Sequence, residues 1–343
     1  MTSASRPIIG ITMGDPSGIG PEVIVKALTS TDVADRSVPI VIADPFVIED
    51  AIRIAKTDAE VQTVTDPSKV SADRRTICVL QPLGCSFPSP AYGKVCTQAG
   101  QVAYAAIQKA VELACSGLID AIVTAPISKE AMNAAGLTYS GHTEILARLT
   151  GTRDCAMLLV YDRLRVVHVT THVPISKVPG LISAERILKV ITLGHDGCKG
   201  LGIDRPRIAV AGLNPHASDG GLFGDEERMH IIPAIHMARS AGMDVEGPIP
   251  ADTVFPKAAG GQFDLCVAMY HDQGHIPLKL IGFRFDEAAS SINGVNITLG
   301  LPIIRTSVDH GTAFDIAGKG IACADSMVQA IEYAIKLAGK RPK

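Results

Sequence analysis

The stretch "IIGITMGDPSGIGPEV" at residues 8–23 joins an apolar, β-branched run to a segment with three glycines, two prolines and two acids. This order predicts a strand, a tight turn and a helix, with Pro21 in the first helical turn and Glu22 near the positive end of the helix dipole. A G-x-G-x-x-G dinucleotide fingerprint is absent, because Gly18 and Gly20 are not followed by a third glycine at the required spacing. The stretch therefore predicts a plain turn between a strand and a helix, not a phosphate-cradling loop.

Similar units recur along the chain, where short β-branched runs alternate with helical patterns such as "AGQVAYAAIQKAVELACSG". The strand candidates are 8–13, 39–43, 76–80, 120–125, 165–171, 207–213 and 265–270. Near-continuous apolar strands separated by helices are typical of a mainly parallel sheet covered on both faces. We therefore predict an α/β fold, and 343 residues suggest about two domains. The Pro- and Gly-rich stretch 244–261 is expected to form a long functional loop.

Composition narrows the class of protein. The formal net charge is −3, which gives no electrostatic basis for binding nucleic acid or an anionic membrane. The beginning of the sequence lacks the apolar core of a signal peptide, and no apolar run reaches the length of a membrane helix. Eight cysteines without a C-x-x-C pair, several inside apolar runs, predict reduced thiols in a cytoplasmic protein.

Three predicted strands each run into a histidine, namely His172, His216 and His271. In a parallel α/β sheet these histidines emerge at the carboxyl edge, where such folds bind ligands. They are too far apart in sequence for a zinc finger, so each one must come from a separate βα unit. Three neutral imidazoles with open positions suit a catalytic divalent metal. The sequence therefore predicts a three-histidine metal site, and His168, inside its strand, is expected to be a core residue.

Two carboxylates are candidates for the same site. Asp252 in "IPADTVF" and Asp272, adjacent to His271, could orient an imidazole, complete a metal shell or accept a proton. Asp252 could equally cap the turn that follows it. Both readings of Asp252 stay open at this point.

Basic residues in apolar surroundings indicate an anionic ligand. Lys279 and Arg305 lie in or beside apolar runs, where an unpaired cation is unfavourable. The segment "SGHTEILARLTG" places His142 and Thr143 at a helix start, whose free N–H groups suit a phosphate. An anion between these residues would account for both features, whereas a simple helix cap would account only for the second.

Several longer motifs resemble one family. "ITMGDPSGIGPEV", "GHTE", "TTHVP", "GLNPHASDGG", "PADTVF", "YHDQGHIPLK" and "VNITLGLPIIRTSVDHGTAFDIAGKG" are similar, in this order, to segments of the PdxA family, the 4-hydroxythreonine-4-phosphate dehydrogenases. "GIGPEV" and "HGTAFDIAGKGIA" resemble, more distantly, segments of isopropylmalate and isocitrate dehydrogenases. Those enzymes bind NAD without a G-x-G-x-x-G loop. The resemblance implies their two-domain α/β fold, with mainly parallel sheets and an active-site cleft between the domains.

The resemblance also implies an activity. A divalent metal (Zn, Mg, Mn or Co) on His172, His216 and His271 would favour deprotonation of a substrate hydroxyl, hydride would pass to NAD or NADP, and the 3-keto product would lose CO₂. Lys279, with Asp252 and Asp272, would supply the catalytic groups. The implied substrate contacts are His142, Thr143, Lys279, Asn296 and Arg305, and the implied cofactor contacts are His310, Gly311 and Asp315. The family further implies a homodimer whose subunits share each active site, and a small phosphorylated substrate.

Two departures from the biosynthetic enzymes concern the substrate. The segment "IGFRFDEAASSINGVNIT" is longer than its counterpart, and His275 stands where those enzymes carry an aliphatic residue. These features look more like the branch that acts on phosphorylated threonate or erythronate, and other relatives oxidise cis-dihydrodiols of aromatic acids. A metal-dependent hydrolase using the same histidines is a remote alternative. We expect one domain from residues 1–135 plus 305–343, on the NAD side, and a second from 136–304, with the metal, substrate and dimer residues.

Overall fold

A single sheet of twelve strands organises the chain in the computed structural model, which describes residues 6–70, 73, 75–88, 90–285 and 290–340. The strands are β1 (Ile8–Thr12), β2 (Val38–Ile42), β3 (Glu60–Thr63), β4 (Thr76–Leu80), β5 (Ala121–Thr124), β6 (Ala156–Tyr161), β7 (Leu164–His168), β8 (Arg207–Ala211), β9 (Asp244–Ile249), β10 (Leu265–Ala268), β11 (Phe283–Phe285), β12 (Ser290–Ile292), β13 (Val295–Leu299) and β14 (Arg305–Val308). The sheet order is β3-β4-β2-β1-β5-β14-β13-β6-β7-β10-β8-β9. Strands β11 and β12 form a separate hairpin.

Helices connect the strands and cover the sheet. They are α1 (Gly20–Ser30), α2 (Val33–Arg36), α3 (Pro45–Ala55), α4 (Thr97–Cys115), α5 (Lys129–Ala134), α6 (His142–Leu149), α7 (Val178–Leu181), α8 (Ala184–Gly200), α9 (Ile232–Ser240), α10 (Ala251–Ala259), α11 (His271–Gly282) and α12 (Asp325–Ala338). None of the helices within the described residues is long and apolar enough to cross a lipid bilayer. All eight cysteines are free thiols, as predicted.

Strand direction changes at the centre of the sheet. Three of the eleven neighbouring pairs are antiparallel, namely β13 with β14, β13 with β6 and β6 with β7, and the other eight pairs are parallel. The mainly parallel α/β fold is therefore confirmed. Strands β1 to β5, together with β14, form one half of the sheet, and β6 to β10, together with β13, form the other. The division into domains at residues 135 and 305 stays a prediction, because one continuous sheet contains both halves.

The seven predicted strands are all present, but the prediction missed several others. It omitted the central strands β6, β13 and β14, whose short runs give weak periodicity. The expected long loop at 244–261 is wrong, since β9 and α10 occupy most of it despite their prolines. The extended segment after α11 contains the β11–β12 hairpin, and residues 286–289 within it lie outside the described residues.

The opening stretch forms a buried turn. Gly14 has φ of +71°, and a Cβ there would lie 2.2 Å from the carbonyl oxygen of Pro126. A Cβ on Gly18 would lie 2.9 Å from the carbonyl oxygen of Thr312, whose oxygen also accepts the Ile19 N–H. The glycines therefore allow close packing against neighbouring loops, and the prediction of a plain turn agrees with this geometry.

A buried ion pair ties α1 to the loop that follows β14. The Glu22 carboxylate accepts the N–H of Ala322 at 2.8 Å, and Lys26 Nζ lies 2.8 Å from Glu22 Oε1. Lys26 also donates to the carbonyls of Gly320 and Ala322. Glu22 is 3% exposed, so this network is shielded from water. The turn and helix thus hold the segment "DHGTAFDIAGKG" in place.

Replacing Glu22 with Gln should lower the free energy of unfolding by about 2–4 kcal/mol, because Lys26 and two backbone N–H groups would lose a buried charged partner. Glu332→Gln is the matched control, since it breaks an exposed pair with Arg36 that should contribute less than about 1 kcal/mol. Urea denaturation of both variants measures the difference. Equal losses in the two variants would contradict a stabilising role for the buried network.

Candidate active site

A cleft of about 450 Å³ lies over the centre of the sheet. Strands β13 and β14 contribute Asn296, Arg305 and Ser307 to its lining, and the pairing of β5, β13 and β14 puts alternate side chains of the three strands on one face. The polar side chains that share this face are Thr124, Asn296, Thr298, Arg305 and Ser307. A polar face in the middle of a buried sheet is unusual and indicates a binding surface.

Arg305 is a buried cation without a charged partner. It is 3% exposed, and its guanidinium donates to the Thr124 and Thr298 hydroxyls at 2.7–3.2 Å. No carboxylate within the described residues forms an ion pair with it. Burial lowers the pKa of Arg305 to about 9, so the folded protein bears a cost for this charge that an anion would offset.

The start of helix α6 faces the same cleft. Gly141, at the N-cap position, has no side chain to cap the helix, and Thr143 makes no capping bond either. The Glu144 carboxylate accepts the Ser140 N–H at 2.7 Å just before the helix, and anion binding at the start of α6 stays a prediction. Burial and the nearby Arg305 charge lower the pKa of His142 well below its usual value, and its Nε2 is buried without a partner. Free N–H groups, a hydroxyl and a neutral imidazole thus point toward Arg305.

Four histidines cluster at the edge of this cleft. The rings of His172 and His271 are 5.4 Å apart, and His275 stacks on His271 at 3.6 Å. His168 packs 4.7 Å from His275, and burial lowers its pKa to about 3. Burial also lowers the pKa of His172, with a smaller contribution from His271. The lowered pKa values of His168 and His172 favour the neutral imidazole, which is the form that binds metals.

His216 lies apart from this cluster within one copy of the chain. Strands β7, β8 and β10 are parallel neighbours, so His172, His216 and His271 do leave the sheet at the same edge. The His216 ring packs 6.4 Å from Phe223 and does not line the cleft. Across the part of the chain that the structure describes, no three His, Cys, Asp or Glu side chains are close enough to hold a metal.

His172 and His216 both have strained backbone conformations. His172 has φ of +43°, and His216 begins a left-handed run through Asp219, with φ between +43° and +74°. L-residues other than Gly, Asn and Asp rarely adopt this conformation, which costs about 1–2 kcal/mol per residue. Such strain typically occurs where a functional geometry requires it.

Lys279 and Asp309 complete the wall beside the histidines. Lys279 Nζ lies 5.2 Å from the centre of the Phe283 ring, and both Lys279 and Asp309 line the cleft. Burial raises the pKa of Asp309 to about 6, although the Lys279 and His271 charges oppose this shift. Asp309 Oδ2 is buried without a hydrogen-bond partner. This carboxylate was missed from the sequence, although it stands directly after strand β14.

The other predicted site residues divide into two groups. Asn296, His310 and Gly311 line the cleft, and His310 Nε2 is buried without a partner. Asp315 is exposed and lies outside the cleft lining. Asp252 is likewise exposed in the first turn of α10, away from the cleft. Asp272 is exposed but accepts a hydrogen bond from His271 Nδ1 at 2.7 Å, which suits an orienting role.

Comparisons with known proteins agree with this picture. The family model described as pyridoxal phosphate biosynthetic protein PdxA matches residues 35–334. A 4-hydroxythreonine-4-phosphate dehydrogenase from Desulfosudis oleivorans is 50% identical, and a D-threonate 4-phosphate dehydrogenase from Cupriavidus necator is 48% identical; each match covers 98% of both chains. The solved 4-hydroxythreonine-4-phosphate dehydrogenase from Klebsiella pneumoniae has a TM-score of 0.85 at 43% identity, over 98% of this chain and 99% of that one.

Two solved structures with lower sequence identity share the fold. A terephthalate 1,2-cis-dihydrodiol dehydrogenase from Burkholderia xenovorans matches with a TM-score of 0.68 at 29% identity, over 97% of this chain and 98% of that one. A β-decarboxylating dehydrogenase from Thermococcus kodakarensis shares the fold, with a TM-score of 0.50 at 14% identity, over 96% of this chain and 83% of that one. The fold and the relatives define an α/β dehydrogenase of the kind that acts on an alcohol group. Within that class, the chain belongs to the PdxA family.

Inorganic phosphate should stabilise the folded protein through Arg305. At ten times its Kd, phosphate is expected to add about 1.4 kcal/mol to the free energy of unfolding. Arg305→Met should abolish this phosphate-dependent gain, whereas Arg153→Met, at an exposed arginine, should retain it. Thermal unfolding over a phosphate series measures the effect. An undiminished gain in Arg305→Met would show that the anion binds elsewhere.

Proposed function

We propose that the protein oxidises, in this cleft, a secondary hydroxyl of a phosphorylated hydroxy acid. The 3-keto product then loses CO₂. The observation that carries the proposal is the buried, unpaired Arg305 beside a helix start and a cluster of histidines. Relatives named for 4-hydroxythreonine 4-phosphate and D-threonate 4-phosphate support a small phosphorylated substrate. The dehydrogenase names of the relatives favour this reaction over metal-dependent hydrolysis.

The substrate's phosphate would bind between Arg305, His142 and Thr143. The guanidinium supplies charge, and the first N–H groups of α6 add directional donors. Asn296 lines the same cleft with an unpartnered Oδ1, so its amide can accept a bond from a substrate hydroxyl or amine. These contacts would hold the reacting carbon near His172 and His271.

A divalent metal suits the donor set at this edge. The rings of His172 and His271 are near enough to each other to share one ion, since metal–imidazole bonds are about 2.0–2.1 Å long. Such an ion would supply Lewis-acid polarisation of the substrate hydroxyl. Asp272 would orient His271 through its Nδ1. Imidazole ligands are compatible with Zn, Mn, Co or Mg, with Zn or Co the better match.

The third ligand would be His216 from a second copy of the chain. His216 is displayed on a strained turn outside its own cleft, next to the exposed Leu222 and Phe223. Helix α11 also exposes Ile276 and Leu280, which are 64% and 81% accessible. Contiguous apolar side chains on a surface are typical of interfaces between subunits. A homodimer with shared active sites is therefore part of the proposal.

NAD, or alternatively NADP, would accept the hydride from the loop side of the cleft. His310 presents an unpartnered Nε2, and a Cβ on Gly311 would meet nothing within 4 Å, so the backbone is open to a ligand. Asp315, four residues further along the same loop, would bind the adenosine ribose. The Glu22 network would keep this loop in position.

Lys279 would accept the hydroxyl proton. It is partly buried beside the histidines, and Asp309 offers a nearby carboxylate whose pKa of about 6 suits onward transfer. Asp252, which lies away from this copy's cleft, would act only if a second copy brought it near. A protein of this kind, with eight free thiols, would function in the cytoplasm.

Two phosphorylated acids are the main candidates for the substrate. The relatives named for 4-hydroxythreonine 4-phosphate and for D-threonate 4-phosphate are 50% and 48% identical, so identity does not separate them. His275 and the extended β11–β12 segment favour the threonate or erythronate branch. The cis-dihydrodiol relative is a third possibility, which the phosphate-binding residues disfavour.

The test is spectrophotometric NAD reduction with both phosphorylated acids and their dephosphorylated forms. The wild type should reduce NAD only with a phosphorylated acid. His172→Ala, His216→Ala and His271→Ala should each lose bound metal and turnover, because two remaining ligands hold an ion weakly. His195→Ala, on the surface of α8, is the control and should retain both. Full turnover by a metal-stripped wild type would contradict the proposed site.

A further inference from the structure

A second cavity adjoins the cleft and extends beyond the contacts assigned above. It has a volume of about 290 Å³ and shares Ser140, Thr143, Met157 and His172 with the main cleft. Thr171 and Arg186 line the second cavity but not the main cleft. The shared residues include one proposed metal ligand and one proposed phosphate contact. A ligand that binds in the cleft can therefore reach into the second cavity.

Arg186 is held in a fixed position without a charged partner. Its Nε donates to the Val169 carbonyl at 3.1 Å and its Nη2 donates to the Cys155 carbonyl at 3.2 Å. These bonds fix the guanidinium plane and leave Nη1 available. No carboxylate in the described ranges pairs with it; Glu144 lines the same cavity, but its carboxylate is exposed and accepts the Ser140 N–H at 2.7 Å.

The positive charge of Arg186 is also in an electrostatically unfavourable position in its helix. It is the third residue of α8, where the helix dipole is positive, and the Ser183 hydroxyl already accepts its backbone N–H. A cation at this end of a helix is repelled by the dipole, whereas an anion is attracted. An oriented, unpaired guanidinium at a helix start beside a cavity thus matches a carboxylate, which it can bind in the plane of the fork.

We infer that this cavity is the carboxylate subsite of the active centre, with Arg186 as its specificity-determining residue. The inference rests on the proposed function. The phosphate lies at Arg305, the reacting hydroxyl lies near His172, and the acidic end of the substrate enters the second cavity toward Arg186 and the Thr171 hydroxyl. The enzyme thereby selects compounds that carry an anion at both ends.

The experiment compares D-threonate 4-phosphate with D-threonamide 4-phosphate, which has the same shape but lacks the carboxylate charge. Arg186→Gln should raise KM for the acid about ten- to hundredfold and change KM for the amide less than about threefold. Arg186→Lys should recover part of the loss, because it restores charge without the fork. Lys189→Gln removes an exposed charge from the same helix and should change neither KM.

A second variant tests the subsite even if the Arg186 variants fail to fold. Thr171→Val removes a hydroxyl from the cavity without touching the bonds to Val169 and Cys155, and should also raise the acid-to-amide ratio of KM values. An unchanged ratio in the folded Arg186 and Thr171 variants, or equal losses for acid and amide, would overturn the subsite. If the wild type reduces NAD with neither phosphorylated acid, the proposed function itself fails. Turnover by the wild type with an unchanged ratio in the variants contradicts only the subsite.

Discussion

The unpaired charge of Arg305 is the constraint on which the cleft depends. A guanidinium buried in the centre of a sheet is unfavourable unless hydroxyls and an anion surround it. Thr124 and Thr298 provide the hydroxyls because the registers of β5 and β13 with β14 place them on the same face as Arg305. The polar residues at these alternate positions give the sheet a polar patch beneath the cleft. The helix start at His142 and the histidine cluster are arranged around that patch.

Packing and hydrogen bonds fix the loops around the cleft. The glycine-rich turn after β1 lies against Thr312, and Glu22 and Lys26 bind the backbone on the far side of the same loop. The turns that carry His172 and His216 include non-glycine residues with positive φ, as does Ala313 in the loop after β14. This distribution agrees with a preorganised site, in which a stable framework offsets the cost of a few unfavourable conformations.

Much of the framework could be predicted from local sequence pattern. The parallel strands, the turn after β1 and the common edge of His172, His216 and His271 follow from β-branched runs and their punctuation. Strands β6, β13 and β14 were missed because their short runs give weak periodicity, although β6 pairs with β7 across a two-residue turn and β13 pairs with the following strand β14. Asp309 and Arg186 were missed for a different reason. Their importance comes from burial and missing partners, and only the folded chain reveals either property.

In the proposed homodimer, each active centre combines His172 and His271 of one copy with His216 of the other. Co-expression of His172→Ala with His216→Ala tests this arrangement directly, because a mixed dimer of these variants has one intact centre. Random pairing should restore about a quarter of the wild-type turnover. The pair His172→Ala and His271→Ala should restore none, since both changes fall on the same side of every centre. No recovery in the first mixture, or equal recovery in both, would contradict a shared site.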